Sequence, residues 1–509
     1  MVLRDTLLSW VSADPFVPFK TITTLTVIVV AVLAFTYLIL NARDAPSLPR
    51  DQLSPPELLG PAGKITHTFF DNQFDFLADG FRTTASAVFR FRLFHNEVMA
   101  VSGEEARQTF FREKALNLYQ GFQVLIGTIP TGLDPHALSG IYKRLNVLQR
   151  PDNLQFLLPR LLLDCHRKMD SWGNEGLLDP TSTVHDVTFQ MIVRAVSSFD
   201  VADNAALVAR LKKFYDIIDA SVKPLTTNLA WVPGFATFRK VWASMNVYRI
   251  FSKALEERKS SGIKREDALQ QLLDSGESSK CIVGFMMGLP IAGARSTGTI
   301  GTWLLLFLSH EHEWLAAVRK EIETLISTYT TDPLPTFSPQ SIVDVLSRIP
   351  LSAWESQTPN LDLCIRETLR RAQPHTAVRK NTGPDIKLGS YTIPSGSFVL
   401  YPFADTFFDA SVYSEPFRWN PARSLAKEQL FLGWGGGTHM CKGQRLASLT
   451  MKLVVAYACL RFKLDLVNHL GQPISEPPVP DMNDFLTCQP KNDCTIKFSE
   501  RPDWTDSRA

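Results

Sequence analysis

The chain has 509 residues, of which 45% are hydrophobic and 20% are charged, a composition typical of a globular protein long enough for one large domain or a few small ones. Its formal net charge of +2 indicates neither a nucleic-acid partner nor a strongly acidic one. The seven cysteines are an odd number and form no Cys-x-x-Cys pair, which disfavours both a disulfide framework and a zinc ribbon.

An uncharged and mostly apolar segment, TITTLTVIVVAVLAFTYLIL, occupies positions 21–40. As a helix, a segment of this length spans a bilayer hydrocarbon core of about 30 Å. A cleaved signal peptide is the alternative, but no small-residue cleavage site precedes the charged NARDAPSLPR. We therefore expect a short N-terminal segment at 1–20, a transmembrane anchor at 21–40, a proline-rich spacer at 41–63 and one folded domain at 64–509.

The rest of the chain predicts a mainly helical domain with small β-sheets. Alternating residues predict strands in ASAVFRFRLFHNEVMAVSG, before a short helix in EEARQTFFRE. Most segments between 134 and 327 have a helical pattern, most clearly LQFLLPRLLLDCHRKMDSW and GTWLLLFLSHEHEWLAAVRKEIETLIS. Strand patterns return in IKLGSYTIPSGSFVLYP, where glycine and a Pro-Ser-Gly triplet mark turns.

A glycine-rich stretch, WGGGTHMCKG at 434–443, places one cysteine before a predicted helix, QRLASLTMKLVVAYACLRF. Its three glycines permit a tight turn and the close approach of a flat cofactor. Because N–H groups and the helix dipole stabilise an anionic sulfur at a helix start, Cys441 is a candidate metal ligand or nucleophile. A single thiolate on a glycine platform favours haem iron, and a buried free cysteine is the alternative.

The same stretch resembles the haem-ligand signature of the cytochrome P450 family. The signature has an aromatic residue, a glycine, a basic residue and a Cys-x-Gly pair, whose places hold Trp434, Gly437, His439, Cys441 and Gly443. Trp replaces the more usual Phe, and His replaces the more usual Arg. The resemblance implies that Cys441 is the axial thiolate of haem b, that Trp434 covers the sulfur and that His439 donates to a haem propionate.

Further motifs of the family follow in the expected order. Glu367 and Arg370 have the spacing of its buried Glu-x-x-Arg pair, and Arg423 in EPFRWNPARS supplies the third member. Such an i, i+3 pair is weak evidence alone, since most of these pairs lie on solvated helix faces. The resemblance implies that the three residues form a structural lock behind the cysteine loop, and that Arg379 binds a propionate. It extends from Pro46 to the C-terminus, and implies a haem-thiolate fold preceded by one transmembrane helix.

The candidate oxygen-binding helix lies in GFMMGLPIAGARSTGTIGTWLLLFL, where Pro290 should bend it. Ala292 and Gly293 are small enough for the backbone to pass close to a haem face, and a glycine–alanine packing seam between helices is the alternative. We assign both residues to cofactor binding on the resemblance.

This helix departs from the family pattern at the acid and alcohol positions, which hold Arg295 and Ser296, with Thr297 following. Arginine stays charged and cannot relay protons near neutral pH. Ser296 and Thr297 are therefore the candidate catalytic residues for a proton relay, unless the substrate supplies a hydroxyl or the reaction needs no relay. We expect Arg295 to form a salt bridge or to flank a water channel beside the helix, rather than to point at the iron.

Other family elements are harder to locate. The Trp-x-x-x-Arg that often holds the second propionate is absent between 116 and 160, and Lys143 and Arg144 are candidate substitutes. The resemblance places pocket-lining segments at 122–126, 292–297, 375–378 and 485–487. Most of these residues are apolar, which favours an apolar or aromatic ligand.

The sequence thus leads to the hypothesis of a membrane-anchored haem-thiolate monooxygenase that uses O₂ and electrons from NADPH-cytochrome P450 reductase. We expect it in the endoplasmic reticulum membrane with its catalytic domain facing the cytosol. The Ala-Gly-Ala-Arg-Ser-Thr-Gly run resembles fungal secondary-metabolism members, which suggests a lipophilic secondary metabolite as substrate. The alternatives are a haem-thiolate peroxide isomerase or dehydratase, oxidative coupling without oxygen insertion, and a non-enzymatic haem-binding protein.

Overall fold

The structure is a computed structural model that describes Ala31 and residues 54–58, 60, 62–93, 96–121, 144–221, 235–330, 339–373, 375–423, 430–484 and 488–501. Among these residues, no helix combines the length and the apolar character that crossing a membrane requires. Apart from Ala31, the predicted anchor at 21–40 lies outside the described residues. Lys143 and the predicted pocket segments at 122–126 and 485–487 also lie outside them.

Helices make up most of the described chain. In chain order they are α1 Ala62–Asp71, α2 Gln73–Thr84, α3 Glu104–Arg112, α4 Pro151–Asp170, α5 Pro180–Val196, α6 Phe199–Ala202, α7 Ala205–Ala220, α8 Phe235–Ser261, α9 Ala268–Asp274, α10 Ser279–His310, α11 His312–Tyr329, α12 Pro339–Arg348, α13 Leu351–Ser356, α14 Pro359–Arg371, α15 Ala404–Phe407 and α16 Gln444–Arg461. The predicted helices in EEARQTFFRE, in the long central region and after the cysteine loop are thereby confirmed.

The strands form small sheets. They are β1 Val88–Leu93, β2 Asn96–Val101, β3 Leu116–Asn117, β4 Glu175–Leu178, β5 Thr376–Asn381, β6 Ile386–Leu388, β7 Tyr391–Ile393, β8 Phe398–Pro402, β9 Phe462–Val467 and β10 Thr495–Glu500. The largest sheet has the order β1-β2-β8-β5-β3, and β4-β10-β9 and β6-β7 form two others. Both segments predicted to form strands do so, since β1 pairs with β2 in antiparallel register and β8 pairs with β5.

The long helix α10 runs through the centre of the described chain. It packs against α5, α8, α14 and α16, and most of its C-terminal half is buried. The Ser278 hydroxyl caps its start by accepting a hydrogen bond from the Cys281 N–H, and the helix continues without a break through Pro290. A large apolar core therefore fixes the helix that carries Ala292 to Thr297.

Helix α16 begins directly after Gly443 and is buried along most of its length. The Gln149 side chain fastens this start, because its amide donates to the Lys442 carbonyl and accepts from the Leu446 N–H. Gln149 is itself buried, so both ends of its amide are satisfied by the segment that follows Cys441.

Candidate active site

The cysteine loop is a tight turn closed by its own backbone. Gly435 and Gly437 have φ values of 75° and 60°, in the left-handed region that favours glycine. A single 3₁₀ turn covers Gly437–His439, and the Cys441 N–H donates to the Trp434 carbonyl at 2.8 Å. These bonds hold Cys441 just ahead of α16, where the sequence predicts it.

The close approach that requires glycine comes from helix α3. A Cβ atom at Gly437 would overlap the carbonyl oxygen of Phe111, and one at Gly436 would lie 3.1 Å from the Phe111 ring. The sequence interpretation gave these glycines to a flat cofactor. In the structure, two of them make room for the end of α3, which contacts the loop from outside, and their role in cofactor binding stays a prediction.

Cys441 is exposed, although protein atoms surround much of its sulfur. Burial raises the pKa of the Cys441 thiol, while the Gly443 N–H and the charge of Lys442 lower it by less. The N–H at the helix start thus favours the anion, as the sequence analysis expected, but the effect of burial on the pKa is larger. A thiol in this place would lose its proton on coordinating a metal ion, because the positive charge of the ion lowers the thiol pKa by more than burial raises it.

Arg379 and His439 lie close together near the cysteine loop. Arg379 is buried on β5, with its guanidinium 5.1 Å above the Phe110 ring. Burial and the neighbouring Arg379 charge lower the pKa of His439, while a hydrogen bond to the Leu116 carbonyl opposes them. The His439 ring donates one N–H to the Leu116 carbonyl, so a bond to a propionate would use its other ring nitrogen.

The two sides of α10 differ in exposure at the residues that the sequence predicts for the oxygen site. Ala292 and Ser296 are exposed, and the Ser296 hydroxyl donates to the Ala292 carbonyl one turn back at 2.9 Å. Thr297 is buried, and its hydroxyl has no hydrogen-bond partner among the described residues. Gly293 faces α5, where a Cβ atom would lie 3.3 Å from Ile192. Ala292 and Ser296 therefore share the exposed face, whereas Gly293 belongs to a packing seam.

Arg295 lies on the flank of α10 and pairs with Asp219 in the last turn of α7. Its Nε donates to Asp219 Oδ2 at 3.0 Å, and its Nη2 bonds the other carboxylate oxygen. The two side chains are 23% and 33% exposed. This is the salt bridge beside the helix that the sequence analysis expected, although no sequence pattern indicated Asp219 as the partner.

Glu367, Arg370 and Arg423 form one buried network. Glu367 accepts two bonds from Arg370, at 2.9 and 2.8 Å, and one from Arg423 at 3.0 Å. Arg370 also donates to the carbonyls of Phe407 and Pro416. Because all three side chains are at least nine-tenths buried, each charge depends on the others for its solvation.

Arg144, one of the two candidate substitutes for the missing arginine, is paired elsewhere. Its Nε donates to Glu277, just before the start of α10, at 2.6 Å. The charge of this arginine is therefore neutralised by a carboxylate. Two contributors to the site escaped the sequence analysis, Phe111 and Gln149, because their contacts join segments more than 290 residues apart.

The residues around Cys441 fit a haem group. In the described part of the chain, no three His, Cys, Asp or Glu side chains are grouped as metal ligands, so Cys441 would be the one protein ligand. A macrocycle that supplies the remaining ligands matches that donor set. The small exposed residues Ala292 and Ser296 would lie at one of its faces, and the buried cation Arg379 would hold an anionic substituent.

Comparisons with known proteins agree with this fit. The family model described as Cytochrome P450 matches residues 164–495, more than half of the chain. Cytochrome P450 monooxygenase AacuE of Aspergillus aculeatus is 27% identical over 80% of this chain and 85% of its own. Sterol 14-demethylase of Arabidopsis thaliana is 22% identical over 75% of this chain and 80% of its own.

The fold has a solved counterpart. The retinoic acid-bound cyanobacterial CYP120A1 superposes with a TM-score of 0.66 at 19% identity, covering 88% of this chain and 99% of the other. That likeness concerns the fold alone. With the family match and the site around Cys441, it leads to one conclusion: the chain belongs to the cytochrome P450 family and is an oxidoreductase of the monooxygenase type.

Proposed function

We propose that the protein oxidises a lipophilic secondary metabolite, with O₂ and electrons delivered from NADPH by cytochrome P450 reductase. The observation that carries this proposal is the placement of Cys441, a single exposed thiol ahead of α16 with a buried arginine nearby. Haem bound through that thiol supplies oxygen activation. The mostly apolar pocket segments favour a lipophilic ligand, and the relative named for a sterol supports the same class.

The chain's own residues would position the substrate and move protons. Ser296 has an exposed side chain on α10, and Thr297 follows it with a buried hydroxyl that has no hydrogen-bond partner in the described part of the chain. A hydroxyl accepts a proton on one lone pair while it donates its own, so either residue can pass a proton along a chain of water. Arg295 does not take part in this transfer, since its guanidinium stays charged and is bonded to Asp219.

The proposal is tested on the full chain in phospholipid nanodiscs with reductase, NADPH and ¹⁸O₂. We expect NADPH consumption that depends on substrate, with one labelled oxygen atom in the product. Turnover of an organic hydroperoxide without reductase would favour the isomerase or dehydratase instead, and a coupled product without label would favour oxidative coupling. Candidate substrates come from metabolite profiles with and without the gene.

Two sets of variants test the residues. Cys441→Ser should lose the red-shifted Soret band of the reduced, carbon monoxide-bound protein, whereas Cys494→Ser, at a half-buried cysteine distant in sequence, should keep it. Ser296→Ala combined with Thr297→Ala should release peroxide at the expense of product. If the double variant couples NADPH use to product as tightly as the parent, the relay does not pass through these hydroxyls.

Anchoring by 21–40 in the endoplasmic reticulum membrane, with the folded domain in the cytosol, is part of the same proposal. Its support is the uncharged apolar segment of the sequence.

A further inference from the structure

A histidine that the proposed mechanism does not use lies against one flank of α10. This residue is His185 of α5, and its Nε2 is 3.5 Å from the hydroxyl oxygen of Thr299 on α10. Gly298 makes the approach possible, because a Cβ atom at that position would lie 2.8 Å from Nδ1 of His185. The imidazole ring therefore packs directly on the helix that carries the candidate proton relay.

Thr299 lies on the same side of α10 as Ala292 and Ser296. The helix is continuous, and the seven residues from Ala292 to Thr299 are two turns with a rotation of only about 20°. Ser296 is three residues before Thr299, and side chains at that spacing are neighbours with about 5–6 Å between their Cβ atoms. Thr299 itself is almost fully buried, so it lies where the exposed face of α10 meets His185. A single water molecule is enough to bridge the two hydroxyls.

The other side of His185 leads towards solvent. The side chain is half-buried, so part of its surface is accessible to water. Lys212 of α7 is close enough for its charge to act on the ring, and it pairs with Asp186 at 3.3 Å and with Asp216 at 3.0 Å. Both carboxylates are about half exposed. These charged groups form a hydrated edge between α5 and α7, from which protons reach the ring.

The ring of His185 is neutral at pH 7. Burial, together with the charges of Lys212 and Arg295, lowers the pKa of His185 to about 4, while Asp179 opposes them. A neutral imidazole has one N–H donor and one acceptor nitrogen, so it can accept a proton on one nitrogen while it releases a proton from the other. Arg295 has no acceptor and stays charged. His185 thus has the chemical property that the arginine at the acid position lacks.

We propose that His185 is a positioning residue for proton delivery along α10, acting through the Thr299 hydroxyl, and that the two replace the acid missing from this helix. One proton moves at each step. Nδ1 accepts a proton from water at the hydrated edge, Nε2 releases its own proton to Thr299, and Thr299 passes its hydroxyl proton through water towards Ser296. The ring then regains its first tautomer by exchange with water. This inference rests on the proposed function, because the activation of O₂ is what consumes these protons.

The first test uses the haem-loaded full chain in nanodiscs with reductase, NADPH and the substrate found in the ¹⁸O₂ experiment. Thr299→Val removes the hydroxyl and keeps the shape of the side chain. It should lower the yield of product per NADPH about tenfold and release peroxide instead, a modest acid–base effect because water partly replaces the hydroxyl. Thr302→Val is the matched control and should keep the parent yield, because Thr302 is also buried on α10 but its hydroxyl donates to the Pro180 carbonyl.

Two substitutions of His185 separate proton delivery from packing. His185→Gln keeps a donor and an acceptor that can bond Thr299, and it should retain most of the product yield. His185→Leu fills similar space without either group, so it should lower the yield as Thr299→Val does. Its rate should also fall further in D₂O than the rate of the parent does, since proton delivery becomes slower. A purely structural histidine would give equal losses in the two variants and an unchanged isotope effect.

A readout that needs no substrate is the C–O stretching frequency of the reduced, carbon monoxide-bound protein, which shifts when the hydrogen-bond donors beside the bound gas change. Thr299→Val and His185→Leu should shift this frequency, and Thr302→Val should not. The unfolding temperature of each variant verifies that the fold is intact.

The proposal is overturned if Thr299→Val leaves either the product yield or the C–O frequency unchanged, or if His185→Leu and His185→Gln behave alike. Failure of the proposed function would look different, since the parent itself would then form no oxygenated product. In that case the C–O frequencies of the variants alone decide whether His185 and Thr299 act on the oxygen site.

Discussion

Glu367 is the buried carboxylate that Arg370 and Arg423 share. Replacing it with alanine leaves Arg370 and Arg423 without their carboxylate, and stranding a buried charge costs about 3–5 kcal/mol. We expect Glu367→Ala to lower the free energy of unfolding by that amount and to reduce haem incorporation, measured by urea titration and haem content. Asp79→Ala, which removes an exposed ion pair with Arg82, should change stability little. A Glu367→Ala protein that is stable and fully haem-loaded but slow would contradict the structural role.

For single residues, the sequence predicted which residues form a network better than it predicted which side chains they bond. The spacing of Glu367, Arg370 and Arg423 predicted one network, and the structure contains it. The role of His439 as a propionate donor stays a prediction, and the structure shows one of its ring nitrogens bonded to the Leu116 carbonyl. The sequence did not identify Asp219 as the salt-bridge partner of Arg295, because that partner depends on which helices pack together in the whole fold.

Among the elements, the contact between α3 and the cysteine loop depends on Gly437. An alanine there would adopt a left-handed φ and would also overlap Phe111, so the two penalties add to about 2–5 kcal/mol. Gly276→Ala is the matched control, because Gly276 has a φ of 75° with no atom near its Cβ position. We expect Gly437→Ala to lower the midpoint of urea unfolding clearly more than Gly276→Ala does. Equal losses of stability in the two variants would mean that the close contact between Gly437 and Phe111 does not contribute to stability.

The second prediction about elements concerns how α7 is joined to α10. Asp219 and Arg295 connect them, together with the Tyr215 hydroxyl, which donates to the Met287 carbonyl at 2.9 Å. Because the ion pair is partly solvated, we expect a coupling free energy of about 1 kcal/mol. A double-mutant cycle in urea, with Asp219→Arg, Arg295→Asp and both together, measures it.

The reversed pair should recover the stability that each single variant loses. A double variant no more stable than the sum of the single losses would show that the two charges do not interact in solution. Tyr215→Phe is a suitable companion, since it removes the other polar link between the helices and leaves both charges in place.

For the whole molecule, the sequence predicted the helical body and the strands β1, β2, β6, β7 and β8, because periodic patterns of apolar residues report which faces are buried. It did not predict β3, β4, β5, β9 and β10. The sequence did not predict the strand order β1-β2-β8-β5-β3, because β2 and β8 are parallel neighbours separated by about 300 residues.

The last prediction concerns how the whole chain is held in the cell. The segment 21–40 is uncharged and long enough to span a bilayer, so we expect it to be retained as a single span. Deleting residues 1–40 should move most of the protein from the membrane pellet to the supernatant, whereas deleting residues 1–20 should leave it in the pellet because the span is kept. Exposed apolar side chains on α8, among them Phe235, Phe238 and Trp242, would hold back a fraction of the truncated protein. N-terminal sequencing separates anchoring from secretion, because a signal peptide would be removed, and a mature protein that begins after residue 40 would refute the anchor.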